Sequence, residues 1–127
     1  MILGIGTDIV TFARMESLHV RYGERFARRI LSEAEMAEFF NHPHPPRLLM
    51  KRFAAKEALS KAAGTGLRHP VSMSQITVTH DGQGKPAFKF SSELTAHFEK
   101  MGVIRHHLSI SDERDIAVAF VILEGEK

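Results

Sequence analysis

The sequence contains no cysteine and no tryptophan, and it has a single tyrosine. Without cysteine, the chain has no disulfide bond, no thiolate metal site and no cysteine nucleophile. The longest uninterrupted apolar run, Ile116 to Leu123, has eight residues, whereas a helix that crosses a bilayer needs about 20. The first residues also lack the basic segment and long apolar segment of a secretory signal peptide. We therefore expect no membrane span and a cytoplasmic location.

The 127 residues fit one ordinary domain with one core. Hydrophobic residues make up 43% of the chain and charged residues 25%, which is typical of a folded globular protein. No internal repeat, low-complexity tract or linker divides the sequence. We predict a single domain over residues 1–127.

The net charge of +2 hides two local concentrations of positive charge. The segment from Phe12 to Ile30 has five arginines against two glutamates, and the segment from Arg47 to Lys61 has five cations against Glu57 alone. Such clusters favour an anionic partner, which can be a nucleic acid, a phosphorylated small molecule or an acidic protein. Composition does not choose among these three.

The first half of the chain is predicted to be mainly helical after an initial strand. Residues 2–10 indicate a buried strand, and two short helices follow, interrupted at Gly23. Ser32 and Glu35 have the spacing of a capping box for a helix to about Phe40. The longest predicted helix covers residues 47–63 and ends at Gly64.

The second half changes to strand patterns. Residues 76–79 and 87–90 alternate around a turn and predict a hairpin, and residues 104–111 and 116–123 predict two more strands. A helix capped by Ser91 or Ser92 lies between the two pairs and ends before Gly102. The predicted fold class is α+β, with helices packed on a largely antiparallel sheet.

Two carboxylates stand out by position, although each also has an ordinary explanation. Asp8 lies where the first strand gives way to a helix, and Glu57 lies in the middle of the basic helix. Asp8 can be a turn or capping residue, and Glu57 can be an exposed partner of Lys61. If the fold brings the two together, they can hold a divalent cation whose other ligands are water and phosphate oxygens.

The basic helix presents acid, cation and hydroxyl groups on one face. Steps of three and four residues align the following set: Phe53, Glu57, Ser60, Lys61 and Gly64. Arg52 and Lys56 lie beside this face, so a ligand with several phosphates would meet three cations along one helix. The alternative is a solvated basic face above an alanine-rich underside, and the residues alone leave both interpretations open.

The glycine and histidine patterns are weak by themselves. Gly4-Ile5-Gly6 and Gly64-Thr65-Gly66 complete neither a dinucleotide fingerprint nor a P-loop, and the second is also explained as a helix stop. The eight histidines show no metal-ligand spacing. His106 and His107 lie in a strand, so their side chains point to opposite faces.

Two segments resemble the paired signatures of the 4′-phosphopantetheinyl transferases. They are Gly4-Ile5-Gly6-Thr7-Asp8-Ile9-Val10 and the stretch from Arg52 to Gly66, which contains Phe53-x-x-Lys56-Glu57-x-x-x-Lys61. The Gly84-Lys85-Pro86 turn and the segment from His107 to Arg114 extend the resemblance to the small bacterial type of this family. The resemblance runs from one end of the chain to the other.

The resemblance implies transfer of the 4′-phosphopantetheine arm of coenzyme A to a serine of acyl carrier protein, with release of adenosine 3′,5′-bisphosphate, in support of fatty acid biosynthesis. It implies that Asp8 and Glu57 hold Mg²⁺, that Lys61 faces the phosphates, and that His107 lies near coenzyme A. Further implied contacts of coenzyme A are Arg52, Lys56, Ser60, Gly64, Thr65 and Gly66. The base for the serine proton is expected to be Glu57 or a water beside Asp8. Some relatives have a second histidine where this chain has Asp112, so no role of that histidine is expected here.

The resemblance also gives the first basic cluster a partner, because acyl carrier proteins are strongly acidic. The expected docking residues are Arg14, Arg21, Arg25 and Phe26, whereas general solubility is the simpler explanation for Arg28 and Arg29. Small bacterial members are homotrimers with active sites between subunits, and the same assembly is expected here.

Two other classes of protein compete with the enzyme. A small basic nucleic-acid-binding module would suit the cationic clusters, but the chain has few aromatic residues for stacking on bases and no RNP-like string or zinc-finger spacing. A non-catalytic interaction domain on the same fold would not need Asp8, Glu57 and Lys61 together. We therefore expect an enzyme that binds neither nucleic acid nor membrane.

Overall fold

A computed structural model describes all residues from Met1 to Lys127. The elements in chain order are β1 (Ile2–Thr11), α1 (Phe12–Tyr22), α2 (Glu24–Ile30), α3 (Glu33–Asn41), α4 (Pro45–Ala63), a 3₁₀ turn (Met73–Gln75), β2 (Ile76–His80), β3 (Pro86–Phe90), α5 (Ser92–Lys100), β4 (Val103–Asp112) and β5 (Ile116–Gly125). Helices lie against antiparallel strands in one domain, so the predicted α+β class is confirmed. No helix is both long enough and apolar enough to cross a membrane.

The strands form two sheets instead of one. β1, β5 and β4 make a three-stranded antiparallel sheet in that order, and β2 and β3 make a separate two-stranded hairpin. β5 is central because β1 and β4 pair with its two edges over most of their length. The sequence pattern predicted the strands and their antiparallel pairing, but it contained no signal for the separation into two sheets.

Helix boundaries follow local capping chemistry. The hydroxyl of Thr11 accepts from the amide of Arg14 at the start of α1, and Gly23 separates α1 from α2 at a φ of 57°. Ser32 and Glu35 form the predicted capping box of α3. The helix α4 begins at a proline pair and ends at Gly64, whose φ of 77° is left-handed and therefore favours glycine.

The three-stranded sheet has two unlike faces. Its inner face packs against α4 through fully buried side chains of β5, which are Ala117, Ala119, Val121 and Leu123. Its outer face carries apolar side chains that stay exposed, among them Ile5, Ile9 and Phe120. The alternation of a β-strand explains this contrast, because neighbouring side chains point to opposite faces. The core of the domain lies between the sheet and α4.

Candidate active site

Asp8 and Lys61 meet where β1 crosses α4. The Nζ atom of Lys61 donates to Oδ1 of Asp8 at 3.1 Å and to the carbonyl of Thr7 at 3.0 Å. The Lys61 side chain is 53% exposed and that of Asp8 only 14%. The ammonium therefore faces solvent at the mouth of the site, while the carboxylate lies deeper. The sequence separation of these residues gave no indication of this contact.

Two glycines of β1 allow this close approach. A Cβ atom built on Gly4 would lie 1.8 Å from the carbonyl oxygen of Ala62, and one built on Gly6 would lie 1.9 Å from that of Ala58. Both distances are far below a van der Waals contact, so only a residue without a side chain fits at either position. The Gly4-Ile5-Gly6 motif is thus a strand–helix packing device, and it brings Asp8 against the Glu57 face of α4.

Glu57 lies half-buried beside Asp8. Burial, together with the neighbouring carboxylate of Asp8, raises the pKa of Glu57 above its ordinary value, although Lys61 and Arg14 act in the opposite direction. The fold therefore joins the two carboxylates that were predicted to act together. The carboxylate of Asp8 thus makes Glu57 harder to ionise.

The carboxylate pair fits a hard divalent cation. The Oδ2 atom of Asp8 is buried and has no hydrogen-bond partner, which is costly for a carboxylate oxygen unless a ligand satisfies it. No group of three or more histidine, aspartate or glutamate side chains is arranged to hold a metal. Magnesium commonly takes one or two protein carboxylates and keeps water and phosphate oxygens as its other ligands, so a pair is sufficient.

Arg14 reaches the edge of the same site. Its guanidinium carbon lies 5.2 Å from the centre of the Phe53 ring, on the face of α4 that also carries Glu57. The positive charge of Arg14 lowers the pKa of Glu57. Arg14 therefore lies near the carboxylate pair, at the start of α1. Its role in docking stays a prediction.

Lys56, which was predicted as a contact of coenzyme A, is buried inside the protein. Its side chain is fully buried, and its ammonium donates to Glu35 and to the carbonyls of Ile30 and Met73. Burial lowers the pKa of Lys56 to about 8, although Glu35 opposes the shift. The three acceptors lie on α2, α3 and the 3₁₀ turn, so Lys56 holds these segments to α4.

Ser60 and Arg52 are also buried, which the sequence did not predict. Ser60 is buried, and its hydroxyl donates to the carbonyl of Glu57 within the helix; its contact with coenzyme A stays a prediction. Arg52 is buried, and its Nη2 atom donates to both carboxylate oxygens of Glu38. It lines a small cavity with Lys51 and lies away from the carboxylate pair, so its contact with coenzyme A stays a prediction.

The segment from Gly64 to Gly66 ends α4. The amide of Gly64 donates to the carbonyl of Lys61, and that of Gly66 donates to the carbonyl of Ser60. The hydroxyl of Thr65 donates to the carbonyl of Gly66. These contacts are those of a helix stop, and a role of the segment in ligand binding stays a prediction.

His107 lies on the outer face of the three-stranded sheet. It pairs with Ile122, whereas Asp8 pairs with Ala119 on the inner face, so the sheet separates His107 from the carboxylate pair of the same chain. The Nε2 atom of His107 lies 2.8 Å from Oε1 of Glu124, and Arg105 also contacts this carboxylate. The structure thus does not bring His107 together with Asp8 within one chain.

A groove between α1 and α2 gathers most of the first basic cluster. Its volume is about 410 Å³, and it is lined by Leu18, Tyr22, Arg25, Phe26 and Arg29. Arg21 lies beside it, with its guanidinium carbon 5.4 Å from the centre of the Tyr22 ring. Arg28 instead pairs with Glu24 at 2.8 Å outside the groove.

Sequence reasoning missed three residues of these surfaces. Leu18 and Arg29 line the groove, and a helical projection across the Gly23 junction would have been needed to place them with Phe26. Glu124 contacts His107 across the strand pair, and the register of β4 and β5 that joins them was not predicted.

Comparison with known proteins points to one family. The family model described as the 4′-phosphopantetheinyl transferase superfamily matches residues 4–121. A holo-[acyl-carrier-protein] synthase of Nitrosospira multiformis is 59% identical over 124 residues, which covers 98% of this chain and 99% of that relative. One of Escherichia coli is 49% identical over 124 residues and covers 98% of each chain.

Solved structures give the same result. The crystal structure of holo-[acyl-carrier-protein] synthase from Neisseria meningitidis superposes with a TM-score of 0.95 at 48% identity, covering 98% of this chain and 99% of that one. A holo-(acyl-carrier-protein) synthase from Bacillus anthracis, solved in complex with CoA (3′,5′-ADP), gives a TM-score of 0.83 at 38% identity, with 99% of each chain covered.

Proposed function

Because the chain belongs to the 4′-phosphopantetheinyl transferase superfamily, we propose that it transfers the 4′-phosphopantetheine arm of coenzyme A to a serine hydroxyl of an apo acyl carrier protein. The relatives that are similar over the whole chain are holo-[acyl-carrier-protein] synthases, and one was solved with coenzyme A or its 3′,5′-ADP part. The observation that carries the proposal is the meeting of Asp8, Glu57 and Lys61 at the crossing of β1 and α4. Fatty acid biosynthesis in the cytoplasm is the role and place that follow from such a carrier.

The transfer exchanges one phosphorus–oxygen bond for another. The serine Oγ of the carrier forms a bond to the phosphorus of the phosphopantetheine arm, and the bond from that phosphorus to the bridging pyrophosphate oxygen breaks. The electron pair of the broken bond stays on adenosine 3′,5′-bisphosphate, which leaves. Because negative charge grows on the bridging oxygen, a cation close to the pyrophosphate lowers the barrier.

Lys61 supplies positive charge at the site, and two carboxylates of this chain could hold a metal ion that adds to it. Lys61 holds its ammonium at the mouth of the site through the Thr7 carbonyl and Asp8, and more than half of its side chain faces solvent. We assign Asp8 and Glu57 as the residues that hold Mg²⁺, which would supply Lewis-acid stabilisation of the pyrophosphate oxygens when it is bound. The unsatisfied Oδ2 of Asp8 supports this assignment.

The serine proton needs an acceptor within hydrogen-bond reach. Glu57 is one candidate, because burial and the neighbouring Asp8 raise its pKa and so strengthen it as a base. A water held beside Asp8 is the other. Both candidates lie beside Lys61, which would bind the phosphates of coenzyme A.

The groove between α1 and α2 is our candidate site for the carrier protein. Arg25 and Arg29 stand on its rim, while Leu18 and Phe26 offer apolar contact within it. A surface of this composition suits an acidic, amphipathic helix of a carrier, because charge steers the encounter and the apolar residues anchor it. Arg14 lies between this groove and Glu57 and so connects docking to the reaction centre.

The outer face of the sheet supports assembly as a homotrimer with active sites between subunits. Ile9 is 65% exposed, and Ile5 and Phe120 are also largely exposed. Such an apolar sheet face on a small domain is typical of a subunit interface. His107 lies on this same face, so assembly would carry it to the active site of a neighbouring chain.

The nucleic-acid alternative loses its main support in the fold. Of the second basic cluster, Lys56 is fully buried and Arg52 is nearly so. Of the remaining cations, Arg47 donates to the carbonyls of Glu113 and Arg114, and Lys61 pairs with Asp8. The mass of a purified apo carrier tests the enzymatic proposal directly: it should increase by one phosphopantetheine arm with coenzyme A and Mg²⁺, and an unchanged mass would overturn it.

A further inference from the structure

His106 stands at the junction of the two sheets. It lies on β4, half-buried against the rings of Phe88 and Phe90 on β3, and the centre of each ring is 5.4 Å from that of the imidazole. Its side chain points to the face opposite that of His107, so it belongs neither to the outer face nor to the carboxylate site. The proposed function gives it no role.

One hydrogen bond across this junction involves the ring directly. The backbone amide of Phe88 donates to Nε2 of His106 at 3.0 Å. No backbone hydrogen bond joins β3 to β4, because the two strands belong to different sheets. The Nε2 atom of His106 thus provides a hydrogen bond between β3 and β4 where the two backbones make none. Nε2 can accept this bond only when the imidazole is neutral and its proton is on Nδ1.

The hairpin has a second anchor on its other strand. The amide of Val78 on β2 donates to Glu35 of α3, which is itself held by Lys56. β2 is therefore fixed to the helical layer, whereas β3 is fixed to the sheet layer through His106. Both anchors are needed to define how the hairpin sits between the two layers.

The turn of this hairpin borders a polar cavity. The cavity has a volume of about 170 Å³, and Gly84 and Pro86 of the turn line it together with Lys51, Arg52 and Asp112. A shift of β3 away from β4 would move the turn relative to the two cations of α4. The distance between turn and cations is thus set partly at His106, on the far side of the hairpin.

We propose that His106 is a positioning residue whose Nε2, by accepting the Phe88 amide, holds the β2–β3 hairpin against β4 and so fixes its turn beside Lys51 and Arg52. The consequence for coenzyme A rests on the proposed function, since Lys51 then presents its charge to a phosphorylated substrate while Arg52 stays paired with Glu38. Protonation of His106 removes the acceptor and places an N–H against the Phe88 amide. The clamp therefore weakens at acidic pH.

The surroundings of His106 favour the accepting form near neutral pH. Burial lowers the pKa of His106, and His107 adds to this effect. The charged groups that face its cavity are Glu99 of α5 and Arg105 of β4, while β3 presents only Phe88 and Phe90.

Two variants separate the acceptor from the ring. His106→Gln keeps an acceptor at about the reach of Nε2 but does not titrate, whereas His106→Phe keeps the ring and loses the acceptor. We expect the hydrogen-exchange protection of the Phe88 amide to fall about tenfold or more in His106→Phe and to stay near the wild-type value in His106→Gln. Equal protection in the wild type and His106→Phe would overturn the proposal.

The pH dependence gives a second readout that does not need His106→Phe to fold. The protection factor of Phe88, corrected for intrinsic exchange, should fall in the wild type between pH 7.5 and pH 5 and stay constant in His106→Gln. An equal fall in both proteins would overturn the proposal. These measurements stand even if no transferase activity is found.

Steady-state kinetics test the link to the substrate. His106→Phe should raise the apparent KM for coenzyme A several-fold with little change in kcat, and His106→Gln should restore it. Normal KM values in a variant that has lost Phe88 protection would show that His106 does not position the turn for the substrate. A wild-type enzyme without turnover would instead contradict the proposed function and leave the exchange result decisive for the clamp.

Discussion

The α-carbon of Gly6 on β1 lies directly against the carbonyl of Ala58 on α4, with no room for a side chain between strand and helix. Because Asp8 is two residues further along β1 and Glu57 precedes Ala58, this contact sets the spacing of the two carboxylates. The geometry of the site thus depends on the absence of a Cβ atom at Gly6.

A methyl group at this position should separate the strand from the helix. We predict that Gly6→Ala lowers the free energy of unfolding by about 2–3 kcal/mol, because overpacking against backbone atoms cannot relax by a side-chain rotation. It should also abolish transfer under conditions where the variant is still folded. Chemical unfolding and turnover measure the two effects.

Gly82→Ala is the matched control, because nothing lies within 4 Å of a Cβ at that position. It should change the free energy of unfolding by less than about 0.5 kcal/mol. Comparable losses in both variants would contradict the packing role of Gly6.

The raised pKa of Glu57 predicts a specific pH dependence in the metal-free protein. The native state binds this proton more tightly than the unfolded state, so the stability that Glu57 contributes is lost as the pH rises through its folded-state pKa. Glu57→Gln, which does not ionise, should therefore gain stability relative to the wild type between pH 4 and pH 7. Urea unfolding in the presence of a chelator measures the difference.

Magnesium should reverse this difference at pH 7. It stabilises the wild type by binding to the folded state, whereas the Glu57→Gln variant offers the metal one carboxylate fewer. The exposed Glu16→Gln serves as control and should behave like the wild type with and without the metal. If the free energy of unfolding of metal-free Glu57→Gln instead falls towards that of the wild type as the pH rises, the raised pKa of Glu57 is contradicted.

The groove between α1 and α2 predicts a charge effect that is specific to the carrier. Arg25→Glu should raise the apparent KM for the carrier about tenfold and leave that for coenzyme A nearly unchanged, with a smaller effect at high salt. Arg28→Glu makes the same charge change outside the groove, at a residue already paired with Glu24. Equal effects of the two variants would argue against docking at this groove.

The outer face of the sheet predicts the state of assembly. Ile9→Glu places a charge on a side chain that is already exposed in the single chain, so it should dissociate the trimer while the circular dichroism spectrum is retained. Val20→Glu, at an exposed apolar residue of α1, should leave the trimer intact. Sedimentation velocity distinguishes the two outcomes, and a wild type that sediments as a monomer would contradict the interface.

Sequence patterns predicted the elements of this fold better than their arrangement. The capping box at Ser32 and Glu35, the helix break at Gly23 and the stop at Gly64 are local signals, and all three lie where they were predicted. The position of the separate hairpin beside the main sheet depends on contacts such as that of His106 with Phe88, which join residues far apart in the chain. Local patterns contain no information about such contacts.

The same distinction applies to the site. Asp8 and Glu57 were singled out by their positions in the sequence, the family resemblance implied that they act together, and the fold shows that they meet. The burial of Lys56 was not predicted, because a helical projection shows which residues share a face but not which face is buried. An ammonium with three acceptors is stable inside the protein, so its charge was a poor guide to exposure.

The central claim is that the Asp8 and Glu57 site carries the transfer of phosphopantetheine to a carrier. The most direct test measures two products in one reaction, the mass of the carrier and the amount of adenosine 3′,5′-bisphosphate, for the wild type and for a folded Asp8→Asn variant. The account predicts one arm gained for each bisphosphate released by the wild type, and at least a hundredfold slower appearance of both with Asp8→Asn, about 2.7 kcal/mol in barrier height. Bisphosphate release without a heavier carrier, or equal rates in the two proteins, would contradict it.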